Sequence, residues 1–76
     1  MTRFTYINQN IDRIKYEVKI GLISPTVIKY WEMYSRFDYY RKLGNSVNMS
    51  IFYAGEDLSI KDRLAFRIKK QMESPI

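Results

Sequence analysis

The sequence contains no cysteine and no histidine. Without cysteine there is no disulfide framework and no thiolate metal site. Without histidine the chain lacks the commonest general base and the commonest metal ligand. No glycine-rich phosphate loop or metal-ligand spacing replaces them, and the only carboxylate pair is the adjacent Glu56–Asp57. We therefore predict a protein that is not an enzyme and has no metal site or cofactor.

Long apolar runs are also missing, and none approaches the roughly 20 residues that a membrane span needs. The first residues, MTRFTYINQNIDR, lack the apolar core of a signal peptide. We expect a cytoplasmic protein without a membrane segment. The 76 residues form a single domain, 1–76, and a domain this small has marginal stability. Glycine and proline are scarce, with three and two copies, which favours helices over a small β fold.

Positive charge is in excess, with 13 Lys and Arg against 8 Asp and Glu and a net charge of +5. It is concentrated near the C-terminal end, where residues 59–72 hold five basic side chains and a single acid, Asp62. In residues 45–58, in contrast, the only charged side chains are the acids Glu56 and Asp57. Such a distribution indicates an anionic partner, namely nucleic acid, an anionic membrane or an acidic protein, unless the basic segment is simply a solvated surface.

The N-terminal part of the chain has helical periodicity. Its apolar residues recur at steps of four, three, four and four: Ile7, Ile11, Ile14, Val18 and Leu22. This pattern predicts a helix over residues 7–22. Residues 14–20, IKYEVKI, alternate as a half-buried strand would, but the alternation is shorter than the helical period and has no obvious partner strand. We therefore predict a helix here.

The next segment has clear start and stop signals for a helix. Ser24 can cap a first turn, Pro25 suits the first helical position, and Gly44 is a natural stop. We predict a helix over residues 25–43. Half of the twelve aromatic residues lie in it: Tyr30, Trp31, Tyr34, Phe37, Tyr39 and Tyr40.

Two roles are open for these aromatic residues. Tyr30, Tyr34 and Phe37 form a stripe with Val27, which is more typical of a core than of a platform for stacking bases. Trp31, Tyr39 and Tyr40 cannot all share that stripe. We expect one or two of them to lie at an interface.

Residues 51–70 read IFYAGEDLSIKDRLAFRIKK, and a single helix explains them poorly. Gly55 inside a helix costs roughly 1 kcal/mol relative to alanine, and the polar residues that follow it interrupt the apolar stripe. Two helices, over residues 47–58 and 61–73, fit better, because a glycine suits the place where a second helix packs against the backbone of the first. The predicted fold is therefore all-α, a small bundle of about four helices that ends in a helix-turn-helix.

This segment resembles the twenty-residue helix-turn-helix motif of bacterial and phage DNA-binding proteins. The five apolar places of the motif are occupied by Ala54, Leu58, Ile60, Ala65 and Ile68. Gly55 holds its fifth place, which is Ala or Gly in the family. Ser59 stands where glycine is usual, and Lys61 where a capping Ser or Thr is common. Ser59 could instead cap the second helix, with Asp62 completing a variant capping box.

The resemblance implies that the second helix lies in the DNA major groove. The implied DNA-binding residues are Lys61, Asp62, Arg63, Phe66, Arg67, Lys69 and Lys70. Arg63 or Arg67 would bind guanine through two hydrogen bonds, and Lys69 and Lys70 would bind phosphates.

Several of these assignments have alternatives. Phe66 could contact a thymine methyl, or be a core residue or protein contact. Asp62 could accept a hydrogen bond from cytosine, although helix capping fits it better. The acids Glu56 and Asp57 suit DNA poorly and could pair with Lys61 or Arg63.

The function predicted from these features is sequence-specific binding of double-stranded DNA. The layout is similar to that of small regulators of mobile elements and phages, so a transcriptional role is expected, with a homodimer on a two-fold site. The alternative is a non-enzymatic protein-interaction or phage accessory module that docks its basic C-terminal helix on an acidic partner. A membrane-surface role fits less well, because the outer face of that helix has no large apolar residue besides Phe66.

Overall fold

A computed structural model describes all residues from Met1 to Ile76, and its only regular elements are α-helices. The five helices are α1 (Arg3–Gln9), α2 (Ile11–Lys19), α3 (Thr26–Lys42), α4 (Val47–Leu58) and α5 (Asp62–Met72). The all-helical bundle predicted from the sequence is confirmed. No helix combines the length and the apolar character that a membrane crossing requires.

The N-terminal segment differs from its prediction, because two helices replace the single helix over residues 7–22. The first begins earlier, where the Thr2 hydroxyl accepts the Thr5 N–H at 3.1 Å. The break falls at Asn10, whose side-chain amide donates to the Tyr6 carbonyl at 2.8 Å and competes with the backbone for it. Ile7 and Ile14 both remain in the core, so the helical period survives the break. The strand alternative for residues 14–20 is wrong.

Helix α3 is the central element, and it begins and ends within one residue of the predicted limits. The Ser24 hydroxyl accepts the Thr26 N–H at 3.3 Å, and Gly44 follows the helix with φ +99°. The predicted aromatic stripe packs into the protein and does not form a stacking platform. Phe37 is buried, and Tyr34 lies between Phe4 and Phe37 with ring centroids 4.6 and 5.3 Å away.

The hydrophobic core joins α3 to α4 and α5 and includes residues from α1 and α2. Its ten buried residues are Ile7, Ile14, Met33, Phe37, Ile51, Ala54, Ile60, Ala65, Ile68 and Met72. Ser50 is also buried, and its hydroxyl reaches the Asn45 carbonyl at 3.5 Å. Every buried polar side-chain atom has a partner. The shared core therefore fixes α4 and α5 against α3.

A three-residue turn connects α4 to α5. Ser59 adopts the left-handed conformation, with φ 56° and ψ 42°, and the Ile60 N–H donates to the Gly55 carbonyl at 2.8 Å. A Cβ on Gly55 would lie 2.6 Å from the Ile60 carbonyl oxygen. The interpretation of Ser59 as the cap of α5 is wrong, because α5 starts after an extended Lys61 with no side-chain cap. Ser59 instead occupies the turn conformation that glycine usually supplies.

Replacing Gly55 should destabilise the protein, because any Cβ at this position must displace the Ile60 backbone. We expect Gly55→Ala and Gly55→Leu to lower the free energy of unfolding by about 1–3 kcal/mol in chemical denaturation. The direction of this change tests the close contact, because Gly→Ala in an unhindered helix raises the free energy of unfolding by about 1 kcal/mol. Glu56→Ala, exposed on the same helix, should stay within about 0.5 kcal/mol. An unchanged or raised midpoint for Gly55→Ala would contradict the close contact.

Candidate nucleic-acid interface

Helix α5 buries one side against the rest of the protein. Ala65, Ile68 and Met72 are buried on it, and Ala65 Cβ lies 3.9 Å from the position that a Gly55 Cβ would take. The six residues assigned to the motif core are Ala54, Gly55, Leu58, Ile60, Ala65 and Ile68, and all are buried except Leu58, which is half-buried and packs on the core. These contacts fix which side of α5 faces outward.

The outward side carries a cationic surface, which we call the basic face. It comprises Lys61, Arg63, Phe66, Arg67 and Lys70, all exposed. The last four share one side of the helix because their spacing follows the helical repeat. None of the four cations makes an ion pair, a side-chain hydrogen bond or a cation–π contact, whereas Arg13, Arg36, Lys42 and Lys69 are all paired with acids. Their charges are free to meet an anionic ligand.

Lys69 does not belong to the basic face, although the sequence placed it among the phosphate-binding residues. Its Nζ lies 2.8 Å from Glu73 Oε1 and 5.7 Å from the centroid of the Phe37 ring. The side chain is only 24% exposed. It therefore links α5 to α3, and Lys70 is left as the cation at the C-terminal end of the face.

The same link shifts two pKa values. The pKa of Tyr34 is raised by burial and by the hydrogen bond that the Tyr34 hydroxyl donates to Glu73 at 2.9 Å. Burial alone would raise the pKa of Glu73, but the hydrogen bonds from Lys69 and Tyr34 and the charge of Lys69 outweigh it. The pKa of Glu73 is therefore lowered. The ionised carboxylate is the form that holds these three residues together.

The acidic residues near the turn do not neutralise the basic face. The carboxylate of Asp57 accepts a hydrogen bond from the Tyr40 hydroxyl at 2.7 Å, which raises the pKa of Tyr40, and lies 3.4 Å from Arg36. The expected pairing of Asp57 with Lys61 or Arg63 is therefore wrong. Glu56 makes no ion pair. Asp62 is exposed in the first turn of α5, where an acid favours the helix dipole.

Phe66 is 44% exposed in the middle of the basic face. It is outside the core cluster, so the interpretation of Phe66 as a core residue is wrong. No aromatic ring or cation packs on it, in contrast to most aromatic residues of the chain. One side of the ring borders a shallow depression shared with Lys69, Lys70, Glu73 and Ser74. An apolar group placed on the basic face would meet this ring.

The three aromatic residues considered for an interface have different environments. Trp31 is half-buried, donates from Nε1 to Asn8 Oδ1 at 3.0 Å and lies under the ammonium of Lys15. Tyr39 is exposed and Tyr40 is half-buried. Phe52 and Tyr53, which no sequence motif marks, are also exposed, because their spacing from buried Ile51 and Ala54 puts them on the outer side of α4.

No group of three or more His, Cys, Asp or Glu side chains is arranged to hold a metal ion. Comparison of the chain with models of protein families, with curated proteins and with solved structures gives no significant match.

The link around Glu73 should make stability depend on pH. Because its pKa is lower in the folded state, ionised Glu73 contributes stability above its ordinary pKa of 4.5, and this contribution is lost as the pH falls through the lowered value. We expect Glu73→Gln to be less stable than the wild type at pH 7, and the difference to shrink as the pH falls below the ordinary value of 4.5. Urea unfolding across this range measures it. Glu32→Gln, at an exposed acid without an ion pair, is the control and should leave the stability at pH 7 unchanged; an equal loss in the two variants would argue against the link.

Proposed function

We propose that this protein binds double-stranded DNA through a helix-turn-helix formed by α4 and α5. The observation that carries the proposal is the basic face: four unpaired cations on the exposed side of a helix whose opposite side is locked against α4. Helix α5 has 11 residues and is not covered by any other element on this side. The major groove, about 12 Å wide, admits one α-helix.

The turn supports the same proposal. In helix-turn-helix proteins the first helix crosses the DNA backbone while the second enters the groove, which requires a short and rigid connection. Here the left-handed Ser59 and the hydrogen bond from Ile60 to Gly55 hold the two helices in one fixed relation. A fixed relation allows phosphate contacts to set the register in which α5 meets the bases.

The positions on the basic face suggest separate roles. Arg63 and Arg67, one helical turn apart, suit hydrogen bonds to guanine O6 and N7. Lys61 precedes the helix and Lys70 lies near its end, so both suit phosphates that flank the groove. Phe66, between the two arginines, suits the methyl group of thymine. Asp62 lies at the first turn, where it could accept from cytosine.

The biological role that we propose is regulation of transcription in a phage or mobile element, which rests on the resemblance described above. The competing function is docking of the basic face on an acidic protein, with Phe66 as the apolar anchor. Both functions use the same residues. The experiments below therefore use DNA directly.

Binding to random duplex should depend steeply on salt. Each phosphate contact contributes about −0.9 to the slope of log affinity against log salt, so four free cations give roughly −3 to −4. Lys70→Ala should flatten the slope by about one unit. Lys69→Ala should change it less, because Lys69 is already held by Glu73. Fluorescence anisotropy on a labelled duplex measures both.

Lys19→Ala is the matched control, since this exposed lysine lies at the end of α2, away from the basic face. It should leave the slope unchanged. If Lys70→Ala and Lys19→Ala behave alike, the basic face does not contact DNA. If the folded protein binds no DNA at low salt, docking on an acidic protein becomes the favoured function.

Sequence preference should depend on the shape of an arginine and not on its charge. Arg67→Lys keeps the positive charge but loses the two parallel hydrogen bonds. On a site selected from a random DNA pool, we expect it to keep the salt slope, to lose about 1–3 kcal/mol and to relax the preference at one base pair. Lys70→Arg is the control and should leave the preference intact. Equal loss on all sequences would assign Arg67 to the phosphates.

A further inference from the structure

Four aromatic side chains pack side by side across α3 and α4, and we call them the aromatic surface: Tyr39, Tyr40, Tyr53 and Phe52. Adjacent ring centroids in this order lie 5.3, 5.4 and 5.9 Å apart. Tyr39 is 54% exposed, and Phe52 and Tyr53 are also exposed. None of the three belongs to the core or packs against it. Their ring contacts are with one another and with Tyr40, and their outer sides stay open to solvent.

The size of the aromatic surface suits the centre of an interface. A buried aromatic side chain contributes about 150–250 Å², so these rings offer on the order of 300 Å² of exposed and mostly apolar area. Exposed Met49, one helical turn before Phe52 and Tyr53 on α4, extends it. Apolar patches of a few hundred Å² commonly mark contact sites. A standard interface buries about 800 Å² on each partner, so this centre needs a polar rim around it.

We propose that the aromatic surface binds a second copy of this chain. The distribution of charge favours this surface. Two molecules of net charge +5 repel each other, and the repulsion is weakest where they meet with few cations between them. Helix α4 contains no basic residue. The aromatic surface lies along it, whereas the basic face is on α5.

The charged side chains beside the aromatic surface also suit contact with a second copy. Helices α3 and α4 run side by side in opposite directions, because Arg36 pairs with Asp57 and the Tyr40 ring packs on Tyr53. The α4 half contributes only acids, Glu56 and Asp57. The neighbouring part of α3 carries Arg36, Arg41 and Lys42 against Asp38. Since Arg36 is paired with Asp57 and Lys42 with Asp38, Arg41 and Glu56 are the charges here that make no ion pair within the chain.

In a two-fold contact each pair of residues occurs twice. If α3 of one copy lies over α4 of the second, Arg41 of each copy is the cation available to Glu56 of the other. Glu56, which has no ion pair within its own chain, is the acid available for this contact. The proposal takes support from the proposed DNA-binding function, because two-fold dimers of such proteins read two half-sites.

Sedimentation equilibrium of the full chain tests the proposal. We expect a reversible dimer in the wild type. Tyr39→Arg should weaken it by about tenfold or more, because the contact would have to bury an unpaired charge. Tyr16→Arg is the matched control: Tyr16 is 61% exposed on α2 and has no ring partner, so dimerisation should not change. Circular dichroism verifies that each variant is folded. A strict monomer, or equal behaviour of the two variants, overturns the proposal and leaves the aromatic surface to another protein.

A second pair of variants tests the rim. Glu56→Lys should weaken the dimer several-fold, because it replaces the acid of the α4 half with a cation. Asp12→Lys makes the same change of net charge at an exposed acid on α2 and should have a much smaller effect. Equal effects of the two would mean that only net charge matters, and would overturn the proposed arrangement.

DNA binding separates this proposal from the proposed function. On a duplex with one half-site, Tyr39→Arg should bind as the wild type does. On a duplex with two half-sites about 10 base pairs apart, it should lose the cooperativity that the wild type shows. If the wild type dimerises but binds no DNA, the proposed function fails and the interface stands. If DNA binds without cooperativity and the free chain is monomeric, the interface fails and the function stands.

Discussion

The contact between the Gly55 backbone and the Ile60 carbonyl is the constraint on which the C-terminal half of the structure depends. With 2.6 Å between the carbonyl oxygen and the position of a Cβ, only glycine permits this approach. The approach puts Ala65 beside α4 and turns Ile68 into the core. Because the inner side of α5 is fixed in this way, its outer side is fixed too. The exposure of Arg63, Phe66 and Arg67 is therefore a consequence of one missing methyl group.

Polar contacts around α3 decide which charges remain free. Glu73 holds Lys69, and Asp57 is held by Tyr40 and Arg36, so two acids are neutralised by residues outside the basic face. Without these contacts the same acids would reduce the positive potential of α5. Such exposed pairs contribute at most about 1 kcal/mol each to stability. Their main effect is on the electrostatics of the surface.

The structure could be predicted from the sequence at positions where a residue type has a single physical role. Gly44 and Gly55 marked a helix end and a helix contact, and the limits of α3 and α4 followed closely. The break at Asn10 was missed because a side-chain hydrogen bond ended α1 while the apolar period continued through it. Lys69 was misplaced because charge pattern alone does not reveal that Glu73, one turn later, turns it inward. The aromatic surface needed the pairing of α3 with α4, and no local pattern contains that pairing.

The two exposed surfaces adjoin near the turn. Phe52, at one end of the aromatic surface, and Lys61, at the start of the basic face, border the same shallow depression with Glu56 and Asp62. The two acids at this border disfavour phosphate, so the field that attracts an anion is displaced toward Arg67 and Lys70. Glu56 borders both surfaces without belonging to either. It is the acid of the α4 half in the proposed contact between two copies, and its charge also limits how closely an anion approaches the start of α5.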